Sequence, residues 1–179
     1  NIGGFSLLDI DISGKQLKGG SAFAEDFRFL QIDGNSTGRT VNMSLQNIKV
    51  DSNKVKDILF YLLKFTGKLE DLMARNITVT NNRFSSRIFE LQTIRLNVNQ
   101  KFLRFSDVSI QDNEDFLNLG LLTLTIKNSF PLPPDYLPDS EDYSVIMDNL
   151  TIKNNSFVKG HQLSVIQIAG AQLYIENSR

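Results

Sequence analysis

Asn149-Leu150-Thr151-Ile152-Lys153-Asn154-Asn155-Ser156-Phe157 decides how this chain is read. Leu150 and Ile152 alternate with polar residues, as a half-buried strand requires. Asn154 and Asn155 supply turn chemistry, and Phe157 returns an apolar side chain to the interior. The stretch predicts one strand, one turn and one anchor.

Weaker copies recur along the chain. They are Asn47-Ile48-Lys49-Val50-Asp51-Ser52-Asn53, Asn76-Ile77-Thr78-Val79-Thr80-Asn81-Asn82-Arg83-Phe84 and Asp107-Val108-Ser109-Ile110-Gln111-Asp112-Asn113-Glu114-Asp115-Phe116, then Leu122 to Phe130 and Leu173 to Arg179. Leu8 to Ile12, Phe29 to Asn35 and Ile94 to Asn99 alternate without the full turn. Second apolar segments, such as Arg87 to Leu91, Phe102 to Phe105, Tyr143 to Met147 and Leu163 to Ile168, fall between copies. The spacing is uneven: Val50 to Val79 is 29 residues, Ile110 to Ile126 only 16, Ile126 to Ile152 26 and Ile152 to Ile175 23. Some copies therefore belong on different faces of one coil.

Repeats of this kind predict an all-β parallel β-helix, a solenoid of about six to eight coils. Each strand would pair with its equivalent one coil away at about 4.8 Å, so that like stacks on like. Asn suits the corner because it tolerates left-handed backbone angles and passes amide hydrogen bonds along a stack. The ladder candidates are Asn53, Asn82, Asn113, Asn128, Asn155 and Asn177. An antiparallel β-sandwich is the alternative, since short alternating strands with polar turns serve it equally well. It does not, however, need every turn to read Asn-Asn-x-Phe or Asn-Ser-Phe.

Val55 to Met73 breaks the rhythm. Its apolar spacing fits an amphipathic helix weakened by Gly67, but Ile58, Phe60 and Leu62 alternate, and strands are the preferred reading. Residues 130–142 hold all four prolines and read as a loop excursion, because proline cannot donate to a central ladder. The expectation is a single β-solenoid domain over 1–179 with that excursion.

Composition narrows the functions. Nineteen basic against twenty acidic residues leave a net charge of -1, so no global field gathers nucleic acid or anionic membrane. Cysteine is absent, which removes disulfides and thiolate chemistry. No apolar run reaches the roughly 20 residues of a membrane helix. The opening Asn1-Ile2-Gly3-Gly4 lacks Met and signal-peptide pattern, and position 1 reads as a processed end or a cut in a longer chain.

Catalytic candidates are thin. Asp112, Glu114 and Asp115 share a turn, and Asp139, Glu141 and Asp142 share the proline loop; either set suits Ca²⁺ or a glycosidase-like acid pair, but solvated turn acids explain both. His161 is the single histidine and has no partner for a metal site. Gly3-Gly4 and Gly19-Gly20 lack phosphate-loop spacing. Lys54 with Lys56, and Arg83 with Arg87, lack the interleaved aromatics of a single-strand groove. No catalytic, cofactor or metal residue is assigned.

Five Asn-x-Ser/Thr triplets begin at Asn35, Asn42, Asn76, Asn149 and Asn154, about twice what composition alone gives. They are the N-glycosylation candidates. Asn154 is a conflict case, since an amide inside a stacked corner cannot also carry a sugar.

The strand-Asn-Asn-x-Phe copies over roughly residues 5 to 179 resemble the right-handed parallel β-helix, or pectin-lyase-like, repeats of Asn-rich secreted and surface proteins of ciliates and other protists. Members of that style often carry Cys near the corner, and this chain has none. The calcium-binding acids and catalytic base of the lyase members map to no residues here. The resemblance implies an extracellular or cell-surface location. Phe5 to Leu8 begins strand-like at once and Leu173 to Arg179 stops within a copy, with no cap between coil and solvent. These features lead to the expectation of a non-enzymatic, structural β-solenoid. It would be a subunit or segment of a glycosylated filament, its partner either a second copy stacked head to tail or an adjoining solenoid segment. The rivals are a β-helix that binds or cleaves polysaccharide near the 131–142 loop, and an adhesin segment.

Overall fold

The computed structural model describes residues 5–18, 25–33, 41–95, 103–115, 119–128, 144–157, 166–169 and 172–178. All are strand or tight turn, and no helix occurs among them. One sheet holds β1 (Phe5–Ser13), β4 (Val41–Asp51), β6 (Leu69–Thr80), β8 (Leu103–Gln111), β11 (Ser144–Lys153) and β14 (Gln172–Glu176), in that spatial order. The other holds β2 (Gln16–Lys18) and β3 (Glu25–Asp33), both on β5 (Lys54–Gly67), followed by β7 (Arg83–Arg95), β10 (Leu119–Asn128) and β13 (Ile166–Ala169). The short β9 (Glu114–Asp115) and β12 (Ser156–Phe157) continue from β7. The chain visits the two sheets alternately, and each visit lies beside the previous one. One passage through first and second sheet is termed a course below.

Every described pairing is parallel. That excludes the antiparallel sandwich for the described residues and is compatible with a parallel β-helix. The strand reading of Val55 to Met73 holds as well, in β5 and β6.

Equal residues stack because parallel strands one course apart place equivalent positions side by side. In the first sheet Met43, Leu72, Leu103 and Val145 form one buried row, and Leu45, Ala74, Phe105 and Met147 the next. Ile48, Ile77, Val108 and Leu150 form a third, and Val50, Val79 and Ile110 a fourth that ends on the partly buried Ile152. In the second sheet Leu63, Phe89 and Leu122 are in register, as are Phe65, Leu91 and Leu124. Phe27, Phe60 and Phe84 stack with ring centroids 5.8 and 5.3 Å apart. Phe89 meets Phe105 edge to face across the core at 5.2 Å.

Two corners break each of the first five first-sheet runs. Asp9, Asn47, Asn76, Asp107 and Asn149 have φ between 53° and 55°, and a second left-handed residue follows five positions later: Gly14, Ser52, Asn81, Asp112 and Asn154. The first corner reverses the alternation, so that Leu45 and Ile48, three apart, both point inward. Ser144 to Asp148 is consequently the first arm of the same strand as Leu150 to Lys153, where the sequence predicts a separate segment between copies.

The uneven spacing now has a cause. Successive courses are offset by 38, 29, 31, 42 and 28 residues. Of the stretch Leu122 to Phe130, read as a copy, the described residues Leu122 to Asn128 instead belong to second-sheet strand β10, which is why Ile126 falls only 16 residues after Ile110. The longest offset spans the proline stretch 130–142, which lies outside the described residues.

Candidate functional site: the two corner ladders

Immediately after the second corner of four successive courses comes an asparagine. Asn53, Asn82 and Asn113 are 1–2% exposed and Asn155 is half-buried. Asn82 donates from Nδ2 to Asn113 Oδ1 at 3.0 Å and to Val50 O at 2.9 Å, and its Oδ1 accepts from Asn53 N and Nδ2 at 3.0 and 2.9 Å. Asn113 repeats this one course on, donating to Asn155 Oδ1 and Val79 O at 2.9 Å and accepting from Asn82 N and Nδ2. A carboxamide has two donor hydrogens and two acceptor lone pairs, and at Asn82 and Asn113 all four are matched. Asn53 bonds Ile12 O at 2.7 Å and accepts from Lys15 N at 2.9 Å; Asn155 bonds Ile110 O at 2.9 Å. Low dielectric strengthens each bond and makes each indispensable.

Two ladder candidates stand elsewhere. Asn128 lies within β10 opposite Arg95 and not at a corner, because its segment belongs to the second sheet. Asn177 has φ 49° and follows Glu176, which pairs with Asp148; it therefore matches Asn149, one corner earlier than the repeat predicts, and donates to Asp148 Oδ1 at 2.8 Å.

The first corner carries a second, exposed ladder that the repeat does not reveal. Asn47 Nδ2 donates to Asp9 Oδ1 at 2.7 Å, Asn76 to Asn47 at 2.9 Å, and Asn149 to Asp107 at 2.8 Å. Asp107 has no amide to donate toward Asn76, and instead its carboxylate lies 3.6 Å from Arg75 Nε.

The glycosylation candidates sort by this geometry. Asn76 and Asn149 are exposed members of the outer ladder, and Asn42 is exposed where β4 shifts register. Asn154 is exposed at the second corner while Asn155 fills the inner ladder, which removes the conflict predicted for Asn154. Asn35 lies outside the described residues. Two positions after Asn53 and Asn82 come the buried Val55 and Phe84, which leave no hydroxyl there to complete a triplet.

Of the acid candidates, Asp112 is an exposed corner residue and Glu114 pairs with Arg83 at 3.2 Å. Among the described residues no three His, Cys, Asp or Glu side chains gather as a metal site. Asp139, Glu141, Asp142 and His161 fall outside them. Sequence reasoning passes over Glu90, which is in register with Lys64 yet only 7% exposed; it pairs with Lys64 at 3.1 Å, and that ammonium sits 4.9 Å from the centre of the Tyr61 ring. Nothing in an ordinary alternating strand signals that burial.

Asp51 is the polar hub of the outward face between the corners. It accepts from Thr80 Oγ1 at 3.1 Å and Asn81 Nδ2 at 3.2 Å, with Lys49 Nζ at 3.2 Å. Burial pushes its carboxyl up, but the hydrogen bonds from Asn81, Lys49 and Thr80 and the Lys49 charge outweigh this and hold it below the ordinary 3.8. No described helix is long and apolar enough to cross a membrane. No protein-family model, curated protein or solved structure matches the chain.

Proposed function

We propose that the chain is a parallel β-helix with a structural, non-enzymatic role outside the cell, a segment of a longer glycosylated solenoid or filament whose courses are continued by stacking. About six coils fit, one for each strand of the first sheet. The observation that carries this reading is the inner ladder: four successive courses are bonded through amides that answer one another, three of them buried and two completely matched. The best-built polar chemistry of the described residues is thus directed at neighbouring courses and at no outside ligand. The half-exposed Ile175, in register with buried Met147 at the edge strand β14, supports continuation there. Exposed Asn42, Asn76, Asn149 and Asn154 are the places where N-linked glycans decorate the outside.

Negative-stain electron microscopy of the native material tests this. Six courses at about 4.8 Å each span roughly 25–30 Å. Rods longer than that are expected, and glycopeptide mass spectrometry is expected to find sugar on the exposed triplets only. Native particles that stay at single-chain size when concentrated would overturn the reading.

A further inference from the structure

A complete Asn-x-Ser/Thr triplet at the outer corner needs two parts in one course: an amide at the left-handed position and, two residues on, a hydroxyl in the second arm. The corners at Asn47, Asn76, Asp107 and Asn149 stand one above another, because Ile48, Ile77, Val108 and Leu150 are in register. Lys49, Thr78, Ser109 and Thr151 form the matching row two residues on. The courses of Asn76 and Asn149 have both parts. The course between them has Ser109 but Asp107, and the course before has Asn47 but Lys49. No two neighbours among these four courses are complete, and the two incomplete ones lack different parts.

Hydrogen bonding does not explain Asp107. As the acceptor for Asn149 at 2.8 Å it does what an asparagine oxygen would do. It forgoes the bond toward Asn76 that an amide would donate, as Asn76 does to Asn47 at 2.9 Å, and has instead an exposed contact with Arg75 at 3.6 Å. The amide ladder is thus interrupted at the corner where an asparagine would complete a triplet between two others.

Spacing supplies a reason. Parallel strands one course apart lie about 4.8 Å from each other, and two courses apart about 9.6 Å. An N-acetylated sugar ring, with the chain that grows from it, is bulkier than the first distance. N-linked transfer breaks the C1–O bond of a lipid-diphosphate-linked sugar, whose electron pair leaves with the diphosphate, and forms a C1–Nδ2 bond as Nδ2 loses one proton. A carboxamide nitrogen has two hydrogens, so one remains for the bonds of Asn76 to Asn47 and of Asn149 to Asp107. Sugar and ladder coexist.

We infer that the outer corner carries N-linked glycans on alternate courses, at Asn76 and Asn149, and that Asp107 and Lys49 keep the courses between and before them bare because adjacent corners cannot both be modified in the folded solenoid. The inference rests on the extracellular, glycosylated reading and specifies how its sugars are spaced.

The full chain, secreted from a eukaryotic host that performs N-glycosylation, is compared with three variants by secreted yield, intact mass and glycopeptide mass spectrometry. Asp107→Asn completes a triplet with Val108 and Ser109. Asp107→Asn/Ser109→Ala supplies the amide without the triplet, and Asp107→Asn/Thr78→Val/Thr151→Val removes the flanking triplets while leaving the ladder amides in place. Wild type is expected to carry sugar at Asn76 and Asn149 of the same molecule. In Asp107→Asn, molecules with sugars on adjacent courses are expected to be lost from the secreted pool. The Ser109→Ala control should be secreted in wild-type amount, and the triple variant should be modified at position 107. Asp107→Asn secreted in wild-type amount with sugars on adjacent courses overturns the inference. So does retention of the Ser109→Ala control, a triple variant left bare at position 107, or a wild type that never carries both sugars on one molecule. Wild type without sugar at any triplet sinks the glycosylated reading itself, and the inference with it.

Discussion

Asn76 and Asn82 lie on the same course, one at each corner, and both pass a hydrogen bond to an amide one course away. Asn82 is 1% exposed and has all four of its hydrogen-bonding positions matched; Asn76 is exposed and makes a single contact, to Asn47. A lost bond at the surface is replaced by water, whereas a lost bond in the interior leaves its partner stranded. The same residue in the same kind of stack therefore specifies the fold at one corner and decorates it at the other. The outer row admits Asp at positions 9 and 107, while the inner row from Asn53 to Asn155 admits only Asn.

The comparison is broken most severely at Asn82. Asn82→Ala strands Val50 O, Asn113 Oδ1 and the two donors of Asn53, at a cost of roughly 3–5 kcal/mol in urea unfolding. Asn82→Asp, nearly the same shape, is expected to cost more at neutral pH, because a carboxylate cannot donate and would face Asn113 Oδ1 as a buried charge. If Asn82→Asp proves milder than Asn82→Ala, shape and not donor count holds the corner.

At the outer corner the effects shrink. Asn76→Ala loses one exposed hydrogen bond and puts a Cβ without a polar partner at φ 53°, costing about 1–1.5 kcal/mol. Asn76→Gly removes the same bond but no longer opposes the left-handed angle, and is expected to cost less than about 0.5 kcal/mol. A loss at Asn76→Gly as large as at Asn82→Ala would erase the distinction between the ladders.

The sequence shows the inner ladder because its cause is local: the corner needs Asn, and at Asn53 and Asn82 a buried apolar residue, Val55 or Phe84, follows two positions on. It hides the outer ladder because that corner accepts Asn or Asp and interrupts no hydrophobic run visibly; Asn47 looks like one more polar residue before Ile48. The errors at Asn128 and Asn177 share a physical origin. Strand-then-Asn describes a second-sheet strand and a first arm as well as a second arm, and only pairing partners separate them. Glu90 was illegible because what decides its burial is non-local packing.

Ser52 is a smaller test of the corner rule. It sits at φ 55° where the equivalent residues are Gly14, Asn81, Asp112 and Asn154, all better suited to that angle. Ser52→Asn is expected to stabilise by about 0.5 kcal/mol, seen as a rise of roughly 1–2 °C in the thermal midpoint. An unchanged or lowered midpoint would mean that the serine contributes something the amide does not.

The least effect is expected at Asp51, between the two corners, and it is distinguished by its pH dependence. Hydrogen bonds and the Lys49 charge lower its carboxyl in the folded state, so folding favours the ionised form. That contribution is complete above the unfolded value of about 3.9 and is lost as pH falls through the lower folded value. Chemical unfolding measured from pH 6 to pH 2.5 should therefore fall more steeply toward acid in wild type than in Asp51→Asn, whose amide does not titrate there. Above about pH 5 the difference between the two should stay constant. Parallel curves throughout would mean that Thr80, Asn81 and Lys49 serve the Asp51 side chain by its shape and leave its charge without influence on stability.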